Sequence, residues 1–213
     1  IGHIWLNRPD LRNAFNDATI REITEAFQSM GSDPDIRVIV MGAHGKAFSA
    51  GGDLNWMRAM ADYSWAENHA DATGLANMLW AIANCPVPVI ARVQGDCYGG
   101  GVGLVAACDI AVAVDTAHFS LSEVKLGLIP ATISPYVIRA MGERAARRYF
   151  VTAERFGAAK AQDIGLLHEA VPADQLDDTV DALVKAILSN GPAAVRASKD
   201  LIGYVAQQPV TPE

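Results

Sequence analysis

Two glycine-rich runs set the terms for any fold this chain can adopt. One is Lys46-Ala47-Phe48-Ser49-Ala50-Gly51-Gly52-Asp53-Leu54. The other is Gln94-Gly95-Asp96-Cys97-Tyr98-Gly99-Gly100-Gly101-Val102-Gly103, which runs on into Leu104-Val105-Ala106-Ala107-Cys108-Asp109. Each stands where an apolar strand pattern ends and a helical pattern begins. Glycine carries an entropic cost, so clusters at two such junctions indicate backbone that must approach something closely or adopt angles that side chains forbid. A helix N-terminus also presents unpaired N–H groups and partial positive charge. Two such donors aimed at one point would stabilise negative charge developing on a carbonyl oxygen. On the glycines alone, tight turns packed against a neighbour explain the runs equally well.

The pattern around these junctions is α/β. Residues 1–6 are strand-like, and residues 17–30 repeat apolar positions at helical spacing (Ile20, Ile23, Ala26, Phe27, Met30). Residues 37–41 read as a short buried strand, followed by helical pattern over 54–60 and 66–83. A strand over 87–93 follows Cys85-Pro86, then the second glycine run, a helix over 100–107 and a strand over 110–114. Strands and helices that alternate in this way predict a layered α/β architecture. From Pro130 the pattern turns almost wholly helical (135–141, 143–151, 158–164, 174–189, 192–206), with one strand-like stretch at 167–171. The expectation is a core over 1–129 and a helical subdomain over 130–213, packed as one unit because no low-complexity linker divides them.

Composition narrows the function. At 213 residues, 51% hydrophobic and 19% charged, the chain is ordinary globular material, able to bury about 70% of its unfolded surface. The net charge is −7, and no run of Lys or Arg exceeds the pair Arg147-Arg148, which argues against nucleic acid as a partner. A local basic pocket for a phosphorylated small molecule remains open, since it needs only a few cations. Three cysteines without metal-type spacing read as reduced thiols, most simply in a cytoplasm. The apolar stretches 102–107 and 110–114 are too short to cross a bilayer. The chain opens in mid-strand without an initiating Met, which reads as part of something longer.

Familiar signatures fail. Neither glycine run gives G-x-G-x-x-G or the G-x-x-x-x-G-K-[ST] phosphate loop, and there is no H-E-x-x-H. The five histidines are scattered, and Ser49 lacks the G-x-S-x-G surround of a nucleophile elbow, so no metal site or serine triad is expected.

The runs do, however, take their place in a longer series: Leu6-Asn7-Arg8-Pro9 with Asn13-Ala14, Phe48 to Leu54, Pro86-Val87-Pro88-Val89-Ile90-Ala91, Gly99-Gly100-Gly101 ahead of Cys108-Asp109-Ile110, and Phe119-Ser120-Leu121-Ser122-Glu123-Val124-Lys125-Leu126-Gly127-Leu128-Ile129-Pro130. In this order and spacing the chain resembles the crotonase superfamily of enoyl-CoA hydratases and isomerases over essentially its whole length. Residues 126–156 look most like bacterial methylglutaconyl-CoA hydratases. The resemblance implies a spiral of ββα units followed by a helical trimerisation region, an acyl-CoA thioester as substrate, assembly as a homotrimer or dimer of trimers, and no separate cofactor, coenzyme A being part of the substrate. Relatives usually continue beyond the equivalent of Glu213 with further helix that helps cover the site.

Carried over by position, the family's oxyanion hole falls on the N–H groups of Gly52 and Gly100, and an acid/base glutamate falls on Glu123. On the residues alone, Glu123 reads more simply as a solvated charge between strand and helix. The chain departs from the two-glutamate hydratase pattern at Gly103, where those enzymes carry their other carboxylate. Hydration through Glu123 alone is the favoured reading. Double-bond isomerisation, which needs one base, is the first alternative, and a noncatalytic thioester binder the second. For coenzyme A the resemblance implies Arg8 or Arg12 at the phosphates and backbone around Ala47, Ser49 and Ala50 at the adenine. Tyr98, Gly103, Thr132 and Ser134 are candidates for the acyl pocket, although core packing or capping explains them nearly as well. Lys125, Arg58 and Arg139 are candidates to meet a second substrate carboxylate. Asp53 is expected to cap the helix that begins near Leu54.

Overall fold

The computed structural model describes residues 1–206. Its organising unit is a pair of strands that does not fold back as a hairpin. In each pair a five-residue strand joins one sheet, the chain turns a corner, and a three-residue strand joins another before a helix begins. β2 (Ile39–Ala43), β4 (Val89–Val93) and β6 (Ile110–Val114) belong to the first sheet, and β3 (Ala47–Ser49), β5 (Asp96–Tyr98) and β7 (His118–Ser120) to the second. After β3 come α2 (Leu54–Ala59) and α3 (Trp65–Ala83), after β5 comes α4 (Gly100–Ala107), and after β7 comes α5 (Ser134–Thr152). Three ββα turns of this kind are what the resemblance implies.

The first sheet is wholly parallel, in the order β1-β2-β4-β6-β9, with β1 at Gly2–Leu6 and β9 at Glu169–Val171. Its central strands are buried along nearly their whole length, as parallel strands covered on both faces must be, and so they read as continuous apolar runs. Edge strand β1 alternates instead, burying Ile4 and Leu6 and turning His3 and Trp5 outward. Helix α1 (Asp17–Ser32), capped by the Asn16 side chain, lays Ile20, Ile23 and Phe27 into the core and packs on α3. The Ser64 and Glu67 side chains close a reciprocal capping box at the start of α3.

The strand expected at 37–41 lies at Ile39–Ala43, and that expected at 87–93 begins at Val89. Pairing decides both, because Gly2 sits opposite Ile39 and Ile39 opposite Val89. The second sheet, ordered β3-β5-β7-β8 with β8 at Phe156–Gly157, was not legible, since strands of two or three residues carry no periodicity. The region after Pro130 is less purely helical than expected. β8 (Phe156–Gly157) pairs antiparallel with β7, and β9 pairs parallel with β6, so both sheets end on strands from this region. The two helices expected at 135–141 and 143–151 are both present within α5, separated at Gly142, whose φ of 77° is non-helical. α6 (Ala158–Asp163), α7 (Leu176–Leu188) and α8 (Pro192–Val205) complete the chain, and residues 207–213 of the expected subdomain lie outside the described residues. No helix among the described residues is long and apolar enough to cross a membrane.

Candidate active site

The two glycine runs meet. Gly51 has φ 83°, and a Cβ there would stand 2.9 Å from both Gly100 N and Tyr98 O, so only glycine permits this approach. A bridge to Phe15 fixes the first run: Phe15 N donates to Gly51 O, and Asp53 N donates to Phe15 O, each at 2.9 Å. A parallel bridge of this form engages the residues on either side of Gly52 and leaves the Gly52 N–H out. Gly100 is the first residue of α4 and has no intrahelical acceptor. Neither N–H donates to any protein acceptor among the described residues. The site therefore holds two free backbone donors, one of them at a helix N-terminus, on two loops in contact.

Glu123 lies against these donors. It opens a short 3-10 turn after β7, and a Cβ on Gly99 would stand 3.3 Å from its Oε1. The residue is half-buried, and Oε2 is sealed from solvent without a hydrogen-bond partner among the described residues. Burial pushes its carboxyl above the usual glutamate value of 4.5, opposed only by its own backbone N–H.

Two cavities join at this point. A cleft of about 720 Å³ is edged by four cations, Arg12, Arg58, Lys125 and Arg155. A second cavity, of about 440 Å³, is apolar, walled by side chains such as Phe15, Trp56, Leu75 and Ile133. Gly52, Met57, Gly100 and Glu123 line both. A ligand with an anionic head and an apolar tail would thus place its middle between the two backbone donors and the Glu123 carboxyl.

Of the residues singled out in the sequence, Gly52, Gly100 and Glu123 are brought together, and Arg12, Ala50, Tyr98 and Lys125 line the polar cleft. Arg12 and Lys125 make no ion pair among the described residues. Tyr98 donates to Asp96 at 2.6 Å, and burial together with that carboxylate pushes its phenol up to about 12. Thr132 lines the apolar cavity. Five others border neither cavity. Arg8 is turned to the framework, paired with Asp53 at 3.1 Å and donating to Ala14 O. Ala47 is buried, its carbonyl accepting from Asn13 and Gln94. The buried Ser49 hydroxyl donates to Asn13 O and accepts from Gly51 N, which fixes the first glycine turn. Ser134 donates to Ala131 O in the turn before α5. Gly103 is buried in α4, where a Cβ would stand 2.3 Å from Ile133 Cγ2. Ile133 therefore occupies the space into which a side chain at 103 would project. Of the further cations considered, Arg58 edges the polar cleft and Arg139 borders a separate one near α8. Asp53 caps α2 by accepting from Asn55 N, and that bond with Arg8 holds its carboxyl below the usual range.

Sequence reasoning quoted Asn13 within the family pattern but gave it no role, although it braces the corner beneath the first glycine run. Only 2% exposed and at φ 54°, it accepts from Arg8 N and donates to His44 O and Ala47 O, tying the segment after β1 to the β2–β3 corner. Its sequence neighbours, Arg12 and Ala14, carry no turn signal, and only the pairing with His44 and Ala47 reveals its role.

The sequence model of the enoyl-CoA hydratase/isomerase family matches residues 1–210. A protein of Legionella pneumophila described as an enoyl-CoA hydratase/isomerase (crotonase) superposes with a TM-score of 0.92 at 46% identity, over 98% of this chain and 81% of its own. An enoyl-CoA hydratase from Shewanella pealeana superposes with a TM-score of 0.94 at 42% identity, over 99% of this chain and 80% of its own. An enoyl-CoA hydratase of Alternaria alternata is 39% identical over 81% of this chain, which spans 55% of that relative's length. With the ββα spiral and the junction of polar and apolar cavities in place, these matches establish that the chain belongs to the enoyl-CoA hydratase/isomerase family, within the crotonase superfamily.

Proposed function

We propose that this protein is a hydro-lyase that adds water to a 2-enoyl-CoA with Glu123 as its single acid/base. One observation carries the reading: a partner-free, burial-perturbed carboxyl stands at the junction of a cationic cleft and an apolar cavity, beside two free backbone donors. The cleft suits the phosphates of coenzyme A, with Arg12 and Lys125 unpaired. Coenzyme A is part of the substrate, and no separate cofactor is proposed. The thioester oxygen sits between Gly52 N–H and Gly100 N–H, which stabilise the enolate as it forms. Removing one donor of this kind typically costs about 10²–10³ in rate. The Glu123 carboxylate takes a proton from water as the oxygen adds to C3, then returns it to C2, ending as it began. A pKa raised toward neutrality suits both halves of that exchange.

Isomerisation is the second reading, favoured by the closure of Gly103 against Ile133, which leaves no room for a second carboxylate there. A single base moving a proton from C2 to C4 would suffice. As to the acyl group, a branched chain such as that of methylglutaconyl-CoA suits the cavity walls. Its second carboxylate would meet a cation only at the polar cleft, at Lys125 or Arg58, since no Lys, Arg or His lines the apolar cavity among the described residues. Assembly as a homotrimer or dimer of trimers belongs to the same proposal. Exposed Leu201, Ile202 and Tyr204 on α8 are suited to such contacts, and sedimentation velocity tests it.

The deciding assay follows conjugated-thioester absorbance with crotonyl-CoA, methylglutaconyl-CoA and a 3-enoyl-CoA, for the protein and its Glu123→Gln variant. Loss of conjugation that falls at least 10³-fold in the variant is expected. Gain of conjugation from the 3-enoyl substrate alone would make the protein an isomerase, and Glu123-independent signals throughout would reject both readings.

A further inference from the structure

Hydration needs a second contact on its water. A carboxylate that takes one hydrogen of the attacking water leaves the oxygen free to swing away from C3, so another group must fix its line of approach. Position 103 supplies none, because Ile133 fills the space beside Gly103. Gly103 lies one turn after Gly100 in α4, about 4.5 Å along the axis from the donor to the thioester oxygen, so the chain around Ile133 runs beside the first acyl carbons. Thr132 is the residue before Ile133, and it lines the apolar cavity together with Glu123. The segment between the two is tied back on itself: Leu128 N donates to Glu123 O at 3.1 Å, Ala131 N to Ile129 O at 2.8 Å, and Ser134 N to Ala131 O at 3.2 Å. The framework makes no use of the Thr132 hydroxyl. A threonine at the entry to a helix ordinarily caps it. Here no side chain caps α5, and the Ser134 hydroxyl is the one engaged in this turn, on Ala131 O. Thr132 Oγ1 has no hydrogen-bond partner among the described residues and, in contrast to Glu123 Oε2, is not sealed from solvent. The other acceptor oxygens on side chains along this cavity belong to Asn68 and Asp71, on α3. That helix passes Gly103 at Leu79, whose Cδ2 is 3.7 Å from the Cβ position, so Asp71 and Asn68 stand about 12 and 16 Å farther back along its axis.

We propose that Thr132 positions the attacking water, its hydroxyl oxygen accepting the hydrogen that the water keeps while Glu123 takes the other. This rests on the hydro-lyase reading of the site and completes it. The water oxygen bonds to C3, the electron pair of the C2=C3 bond moves into the enolate, and one proton goes to the Glu123 carboxylate. That proton then passes to C2, so the product holds all three atoms of the water and Glu123 ends as it began. A neutral hydroxyl is a far weaker base than a carboxylate, so Thr132 orients the water without competing for its proton. Isomerisation consumes no water and has no use for this hydroxyl.

The test compares Thr132→Val, which removes the hydroxyl, with Thr132→Ser, which keeps it, in two reactions. One is hydration of whichever of crotonyl-CoA and methylglutaconyl-CoA the unaltered protein hydrates faster. The other is exchange of the C2 hydrogens of butyryl-CoA with deuterated water, followed by proton NMR, which needs the backbone donors and Glu123 but no water at C3. In Thr132→Val, kcat for hydration should fall about 10–100-fold with KM little changed, and exchange by no more than about threefold. Thr132→Ser should recover most of the hydration rate. Retained exchange also shows that the valine variant is folded with Glu123 in place. Hydration untouched by Thr132→Val, hydration and exchange falling together, or a serine variant as slow as the valine one would each overturn the inference and leave the thioester reading intact. So would an unaltered protein that exchanges butyryl-CoA but hydrates neither enoyl thioester. A protein that neither hydrates nor exchanges any of the three would overturn the functional reading itself, and this inference with it.

Discussion

At Glu123, burial and chemistry pull in opposite directions. A folded-state pKa above the ordinary 4.5 means that the native protein holds this proton more tightly than the unfolded chain does. The stability contributed by the protonated form is fully present below the ordinary value and is lost as pH rises through the raised one. Glu123→Gln should therefore abolish turnover yet raise the melting temperature near neutral pH, with the gain vanishing on acidification below the ordinary glutamate range. Thermal melts across pH check this, and a variant less stable than its parent at neutral pH would contradict it. In the active protein, kcat/KM should fall on acidification with a midpoint above 4.5. Gly103 gives a second residue-scale test. Because Ile133 fills the space its Cβ would need, Gly103→Ala should cost about 1–3 kcal/mol through overpacking. Ile133→Ala in the same chain should recover part of that loss, so a double-mutant cycle by denaturant unfolding should show coupling between the two positions.

At the scale of elements, α8 is held by two cations: Arg196 donates to Ile36 O at 3.3 Å, and Lys199 makes the more buried anchor. Lys199 Nζ donates to Asp109 Oδ2 at 2.6 Å and to Val87 O at 3.1 Å, and Asp109 also accepts from Val89 N. Burial pushes the Asp109 carboxyl up despite Lys199, so the pair stands close to the balance between desolvation and attraction. Removing only the cation leaves a largely buried carboxylate uncompensated. Lys199→Met should destabilise by about 3 kcal/mol, while Lys199→Met with Asp109→Asn should be milder than the single change. Hydrogen exchange should show faster opening of α8 in the single variant. Equal stability of parent and Lys199→Met would mean that Arg196 and apolar packing seat the helix without Lys199. The helices themselves were well read from sequence, because amphipathic spacing and a cap such as Asp53 are local signals.

The whole molecule is closed by strands from its C-terminal half. β9 completes the first sheet beside β6, and β8 completes the second beside β7, so neither sheet is finished by residues 1–129 alone. Unfolding should accordingly be one cooperative step, with far-ultraviolet dichroism and tryptophan fluorescence coincident in urea. Separate transitions would mean that the helical region folds as its own unit.

Alternation of apolar runs and helical periodicity settled the α/β class from sequence, because a backbone that must bury its hydrogen bonds in parallel strands and amphipathic helices writes those periods into its residues. The glycine runs likewise marked the two junctions, since a required close approach of backbone excludes side chains locally, and the family resemblance singled out Gly52 and Gly100 within them. The tertiary structure decided what depends on partners distant in the chain. It paired two- and three-residue strands that have no period, fixed registers through neighbours such as Gly2 and Ile39, and turned Arg8 and Ser49 to the framework and not to the cleft. It also set Ile133 against Gly103 and joined a cation-edged cleft to an apolar cavity at Gly52, Gly100 and Glu123, because packing and enclosure are properties of a space that several segments form together.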